Sequence, residues 1–324
     1  MEINYVGEHL LAGKLGNILI ILAFLSAIIS SISYFLSVQK NSEEWKSFGR
    51  IFFRIHSVAV LGIVFTLFWM LLNHYFEYHF VWMHSSKELA VKFVFASFWE
   101  GQEGSFLLWV FWHVVLGNII IRTSKDWEAP VMTTISAVQA FLGILLLGVY
   151  ILNYKIGGNP FTELHREHAD FKNLLFVQNP NYLEELNGRG LNPLLQNYWM
   201  TIHPPTLFLG FASTVVPFAF AIAGLWTRKF NDWQRPALPW TFFSIMILGT
   251  GILMGGAWAY EALSFGGFWA WDPVENASLV PWITLVGGAH VMLINKNKGT
   301  SLFAAFFLIT ISFVLILYST FLTR

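Results

Sequence analysis

The chain has 324 residues, of which 56% are apolar, 18% aromatic and 12% charged, and its net charge is zero. A soluble fold could not bury that much apolar surface, so the composition points to an all-α, polytopic transmembrane bundle with the lipid bilayer around it. Balanced charge without Lys/Arg blocks excludes nucleic acid as a partner, and the lack of cysteine excludes thiol catalysis, disulfides and cysteine metal sites.

Eight apolar runs read as spans: 15–37, 51–74, 105–121, 130–152, 206–226, 240–258, 280–294 and 301–322. No small-x-small site follows the first, so it reads as a span and not as a cleavable signal. The third and seventh are short for a hydrocarbon core of ~30 Å and need flanking aromatics to complete them. Connections 38–50, 122–129, 227–239 and 295–300 hold ten Lys/Arg in about 40 residues, against eight in about 120 residues on the opposite side. The positive-inside rule therefore places these connections in the cytoplasm. Both termini and the longer segments 75–104, 153–205 and 259–279 then face outward. The chain divides into spans one to six with two external segments (1–258), an external tryptophan-rich segment (259–279), and spans seven and eight (280–324).

Between spans two and three, residues 79–100 mix aromatics with Lys87, Glu88 and Lys92 and predict an amphipathic interfacial helix. Residues 153–205 predict a small external subdomain, with turn signals at Gly157–Gly158, Asn159–Pro160 and Asn187–Gly188. Pro217 predicts a kink in span five. In span six, Gly251-x-x-x-Gly255 predicts a close helix contact. There is no Walker motif and no dinucleotide-binding glycine fingerprint.

The chemistry concentrates outside. Phe265, Phe268, Trp269 and Trp271 stand beside Asp272 and Glu275, with Gly266–Gly267 freeing the backbone. Aromatic faces with a few fixed polar groups suit a flat, mostly apolar ligand. The same tryptophans could form an interfacial belt. Asp272 could cap the next helix, with Glu275 in its first turn. His203 precedes Pro204–Pro205 where the external segment meets span five; it reads as an axial metal or heme ligand, or as an interfacial cap. His290 lies ten residues into span seven, ~15 Å deep. At that depth it is either a ligand or a neutral histidine bonded to a neighbouring helix. His56 and His113 are also intramembrane. His9, His74, His79, His84, His165 and His168 read as solvated surface. Glu100-Gly-Gln-Glu103-Gly forms a second acidic turn, at the mouth of span three.

Trp269-Ala-Trp271-Asp272-Pro273-Val-Glu275-Asn276 resembles the tryptophan-rich signature of heme-handling proteins in cytochrome c maturation. The closer resemblance is to the large heme lyase subunit, the CcmF type. Trp99-Glu-Gly-Gln-Glu-Gly-Ser105 through Trp109 is similar to its GxQEGSxLLW turn. Leu191-Asn-Pro-Leu-Leu-Gln196 through His203-Pro-Pro205 is similar to its LNPLLQ…HPP segment, and Ser319–Arg324 to the end of the span after the signature. The shorter single-chain cytochrome synthases are similar in length, but the QEGS and LNPLLQ segments favour the large lyase subunit. The resemblance implies a bacterial inner-membrane protein with its active face in the periplasm. It implies heme stacked at Trp269 and Trp271, with His203 as an external axial ligand and His290 as a ligand to a separate transmembrane heme b. The iron of each heme is then the only metal. The implied partners are a periplasmic heme chaperone, an apocytochrome c whose Cys-x-x-Cys-His motif receives the heme, and a thiol-reducing maturation subunit. A non-catalytic heme-binding or heme-transport protein is the alternative. Ser264–Phe265 departs from the family's usual Gly-Trp. The second histidine of each axial pair has no match before Arg324, so the sequence predicts the N-terminal part of a heme lyase, with a separate C-terminal half among its partners.

Overall fold

The computed structural model describes residues 7–152, 154–168, 177, 179, 181–262 and 267–323. It begins with a helical hairpin, α1 (Leu10–Lys40) and α2 (Glu43–Leu72). Asn41 turns the chain in the left-handed region at φ 48°, and the Ser42 side chain caps α2 by accepting from the Trp45 amide. Two short helices follow, α3 (His79–His84) and α4 (Val91–Ser97). Next come α5 (Gln102–Thr123) and α6 (Glu128–Leu147), and α1 packs between α2 and α6. The outer layer continues with strands β1 (Val149–Ile151) and β2 (Tyr154–Ile156) and the single turns α7 (Leu164–Glu167) and α8 (Tyr182–Glu185). The second half holds α9 (Tyr198–Ser213), α10 (Val215–Trp226), α11 (Gln234–Ala262), α12 (Pro273–Lys298) and α13 (Leu302–Thr323). There α9 packs on α11, α11 on α12 and α12 on α13, and the two halves meet where α5 touches α9 and α6 touches α10.

Among the described residues, eight helical segments are long and apolar enough to cross a membrane, and the chain is a multi-pass membrane protein. Its packing is that of a lipid-solvated bundle. Phe65 and Phe303 are exposed, whereas Ser26, Ser30, Ser33 and Ser37 line the buried face of α1. The Ser30 hydroxyl donates to the Gly49 carbonyl at 3.0 Å and thereby ties α1 to α2. Small and hydroxylated residues let helices approach where no hydrophobic effect drives them together. At the Lys/Arg-rich ends, the buried carboxylate of Glu128 accepts from Arg50 Nε and Nη2, both at 2.6 Å, and from the Tyr34 hydroxyl at 3.1 Å. This clamp joins α1, α2 and α6.

Several features differ from the sequence expectation. The third and seventh spans are not short, because polar flanking residues continue the helices to 22 and 26 residues. The fourth stops at Leu147, since Gly148 takes up the left-handed region at φ 63° and turns the chain into an antiparallel hairpin that pairs Val149 with Ile156. Residues 79–100 fold as two short helices instead of one amphipathic helix. The histidines expected to be solvated are mostly engaged. His84 Nδ1 lies 2.9 Å from Glu100, and His9 bonds Glu77 at 2.7 Å while stacking on Tyr75. The outer layer is tied in the same manner elsewhere. Lys155 donates to both Glu167 oxygens and holds that carboxyl below the usual range. The expected kink in span five takes the form of a one-residue interruption at Thr214, between α9 and α10, where the backbone stays near helical at φ −65° and ψ −22°. The Pro217 ring crowds the Ser213 carbonyl and supplies no N–H to it.

Candidate functional site

His203 is set by three local devices. Asn197 starts α9, its side chain accepting from the Met200 amide at 3.2 Å. The preceding residues fix Asn197 in turn. The Asn192 side chain accepts from the Leu194 amide, Gln196 Nε2 donates to the Leu191 carbonyl, and Asn197 Nδ2 donates to the Leu194 carbonyl. The helix thus begins well before the apolar run at 206–226, and His203 sits in its second turn with Pro204 and Pro205 inside the helix.

Proline at 204 leaves the Met200 carbonyl without its helical donor. The indole of Trp99 fills that gap, with Nε1 2.8 Å from the Met200 oxygen. A second indole, Trp112 on α5, donates to the Pro205 carbonyl at 3.1 Å. The Trp99 turn is itself compact. The Ser105 hydroxyl returns to the Trp99 carbonyl at 2.9 Å, and a Cβ at Gly104 would collide with the Phe98 carbonyl. The motif at 99–105 and the motif at 191–205 are therefore two parts of one histidine mount.

The third device is the glycine face of α11. A Cβ at Gly251 would stand 2.9 Å from the Leu207 Cα, and one at Gly255 only 3.0 Å from Cε1 of His203. The close helix contact predicted from Gly251-x-x-x-Gly255 is present, and its partner is the α9 turn that carries His203. One turn further along α11, Trp258 meets the imidazole edge-to-face at 5.5 Å and 67°.

The tryptophan-rich segment closes over this point. Phe268 lies against Gly256, where any Cβ would collide with its ring. Asp272 caps α12 by accepting from the Glu275 amide at 2.7 Å, as the local sequence predicts, and Glu275 accepts from the Ala270 amide at 2.8 Å. Asn276 Nδ2 donates to the Trp271 carbonyl at 2.8 Å. Trp271 is held at φ 58° with its indole 69% exposed. A bulky residue there costs ~1–2 kcal/mol in backbone strain, and such strain clusters at functional sites. Trp269 and Trp271 meet nearly at right angles, 5.8 Å apart and 85° between planes, so a flat ligand stacked on one meets the edge of the other.

Between these elements is a cavity of about 170 Å³ lined by His203, Gly255, Trp258, Trp269, Asp272 and Glu275. Three buried nitrogens in it lack a hydrogen-bond partner: His203 Nδ1, Trp258 Nε1 and Trp269 Nε1. Buried polar atoms are nearly always satisfied, and exceptions need an explanation such as a missing ligand. The two carboxylates, by contrast, are already used on their own segment's backbone.

Of the residues singled out from the sequence, His203, Trp269, Asp272 and Glu275 come together in this cavity, with Phe268 and Trp271 on the segment covering it. Phe265 falls outside the described residues. His290 is elsewhere, ~27 Å along α12 from Asp272 at 1.5 Å per residue. It is exposed, with Nδ1 bonded to the Val286 carbonyl at 2.9 Å. His56 and His113 are buried in the first half, where His56 bonds the Ala23 carbonyl at 2.8 Å. Among the described residues, no group of three or more His, Asp or Glu could hold a bare metal ion. Sequence reasoning missed Trp258, Trp99 and Trp112 as site components. Two of them had a signal: Trp258 stands three residues after Gly255 on one helix face, and Trp99 opens the motif at 99–105.

The family model described as "Cytochrome C assembly protein" matches residues 99–324, which hold every element of this cavity. The chain belongs to the cytochrome c assembly protein family. It is 32% identical over 313 residues to the cytochrome c-type biogenesis protein CcmF of Pseudomonas aeruginosa, covering 96% of this chain and 44% of that protein. The CcmF of Escherichia coli is 30% identical over 312 residues, with 96% and 45% covered. A solved structure of "Cytochrome c Heme Lyase CcmF" superposes with a TM-score of 0.78 at 25% identity, over 100% of this chain and 49% of the other. This member of the assembly family spans less than half the length of the curated relatives it matches.

Proposed function

We infer that the chain binds heme at its outer, periplasmic face and presents it for attachment to an apocytochrome c, as a heme lyase component of the bacterial inner membrane. The observation that carries this reading is the set of three partnerless nitrogens around one cavity, an imidazole and two indoles, beneath an exposed and strained tryptophan. The donor set fits heme. His203 offers an imidazole for the iron, Trp258 and Trp269 offer N–H groups for carboxylate oxygens, and Trp271 offers an aromatic face. At about 170 Å³ the cavity is below the ~300–1,000 Å³ of pockets that enclose a cofactor. The cavity would therefore take only part of a heme, and Phe268 and Trp271 would offer aromatic surface to the rest.

In this role α9, α11 and the tryptophan-rich segment orient and shield the ligand, and Asp272 and Glu275 keep the segment in shape without transferring a proton. Heme, when bound, brings vinyl groups to which cysteine thiols of a Cys-x-x-Cys-His motif can add. A periplasmic heme chaperone supplies it, and a thiol-reducing subunit keeps the acceptor cysteines reduced. His290 is assigned as a ligand to a second, transmembrane heme b. Its backbone bond through Nδ1 leaves Nε2 for iron, and its position far from the cavity supports two separate sites.

His203→Gly, purified from heme-replete membranes, tests the outer site. Heme content should fall and added imidazole should restore it, whereas unchanged heme content and spectrum would refute the assignment. Transfer of heme to a Cys-x-x-Cys-His peptide then distinguishes a lyase component from a carrier.

A further inference from the structure

At the other end of α11, ~36 Å from Trp258 at 1.5 Å per residue, a half-open cavity of about 820 Å³ lies between the start of α11 and the end of α12. Its composition is divided. Leu238, Phe242 and Met292 give it an apolar wall, and Arg235 and Lys296 stand at its rim. Both cations are exposed, and neither forms an ion pair among the described residues. Asp232 on the same connection does not line it. The first turn of α11 holds no acidic residue, so the positive end of a 29-residue helix dipole adds to the two cations.

The floor carries a separate signal. Gln234, only 6% exposed, donates through Nε2 to Asn295 Oδ1 at 3.0 Å, and Asn295 Nδ2 donates to the Thr300 carbonyl at 2.7 Å. That relay fixes both amides and leaves Gln234 Oε1 buried without a partner. The oxygen can only accept, so it calls for a hydroxyl or ammonium donor.

We propose that this cavity binds an anionic phospholipid whose headgroup carries a hydroxyl, of the phosphatidylglycerol class. An acyl chain runs along Leu238, Phe242 and Met292. The phosphate sits at Arg235, Lys296 and the α11 N-terminus, and the headgroup hydroxyl donates to Gln234. A phosphate beside a membrane-facing apolar wall could also be a free anion, but the wall favours a lipid, because inorganic phosphate gains nothing from it. The site is independent of heme and of the outer cavity.

The test uses the purified chain in nanodiscs of phosphatidylglycerol or phosphatidylcholine, followed by native mass spectrometry after stepwise delipidation. One phosphatidylglycerol should be retained after the annular lipids are lost. Retention should fall about ten-fold or more in Arg235→Gln/Lys296→Gln, the order expected for two basic residues at a membrane surface. Size-exclusion profiles of parent and variant should match, because both side chains are exposed. Equal retention of the two lipids, or no change in the double variant, overturns the proposal. Displacement of the bound lipid by millimolar sodium phosphate would also overturn it, marking a free-anion site instead.

Discussion

The indole of Trp99 should matter to His203 only because of Pro204. In Trp99→Phe an aromatic ring is kept, though a smaller one, but the Met200 carbonyl, in a residue 3% exposed, loses the donor at 2.8 Å. An unsatisfied buried acceptor costs ~1–3 kcal/mol, and double-mutant cycles in a membrane protein bring such bonds nearer ~0.6–1.7. About 1–1.5 kcal/mol is therefore expected. Restoring a backbone N–H with Pro204→Ala removes the need for the indole, so the second substitution should cost little in that background. Equilibrium unfolding in mixed micelles of the parent, both single variants and the double variant gives the coupling directly. Heme titration of the same four proteins should show a loss of up to about ten-fold in Trp99→Phe, since 1.4 kcal/mol is a factor of ten, and a smaller loss in the pair. Additive effects in both assays would refute the idea that this indole replaces the missing helical donor.

Three other outcomes follow from the geometry. Gly255→Ala places a methyl 3.0 Å from the imidazole Cε1, so His203-dependent heme loading should fall, even though alanine favours a helix interior by ~0.5–1 kcal/mol; unchanged loading would show that the ring is not held there. Trp271→Gly relieves ~1–2 kcal/mol of left-handed strain while adding unfolded-state entropy, so melting should be unchanged or slightly raised while heme uptake drops; normal uptake would mark the indole as a membrane anchor. Asp272→Asn keeps an N-cap acceptor and should retain function, whereas Asp272→Ala should lose ~1 kcal/mol and loosen the segment; equal loss in melting and heme-transfer assays of both variants would point to a role for the charge.

The spans were legible because lipid demands a run of apolar residues of fixed minimum length. Their ends were not, because these depend on caps and turns. Asn197 starts α9 among polar and proline residues that read as a loop, and Gly148 ends α6 inside an apolar run. The site was half legible. The aromatic segment and His203 stood out by residue type and position. The mount beneath them did not, since the bond from Trp99 to Met200 spans 101 residues and answers a defect that proline creates in another helix. Gly255 announced a helix crossing but not that an imidazole would fill it. The outer histidines misled because charge in sequence says nothing of partners; Glu77 and Glu100 become neighbours only after the loops fold.

The interruption at Thr214 gives α9 a mechanical character. His203 stands eleven residues from it, a lever of ~16 Å at 1.5 Å per residue. A tilt of ~5° about that pivot would carry the imidazole ~1.4 Å, and a displacement near 1 Å is enough to cost a reacting geometry ~100-fold. The far end of the lever is gripped by two indoles from α5 and its preceding turn. Whatever shifts that turn reaches the His203 imidazole without unwinding a single turn of helix.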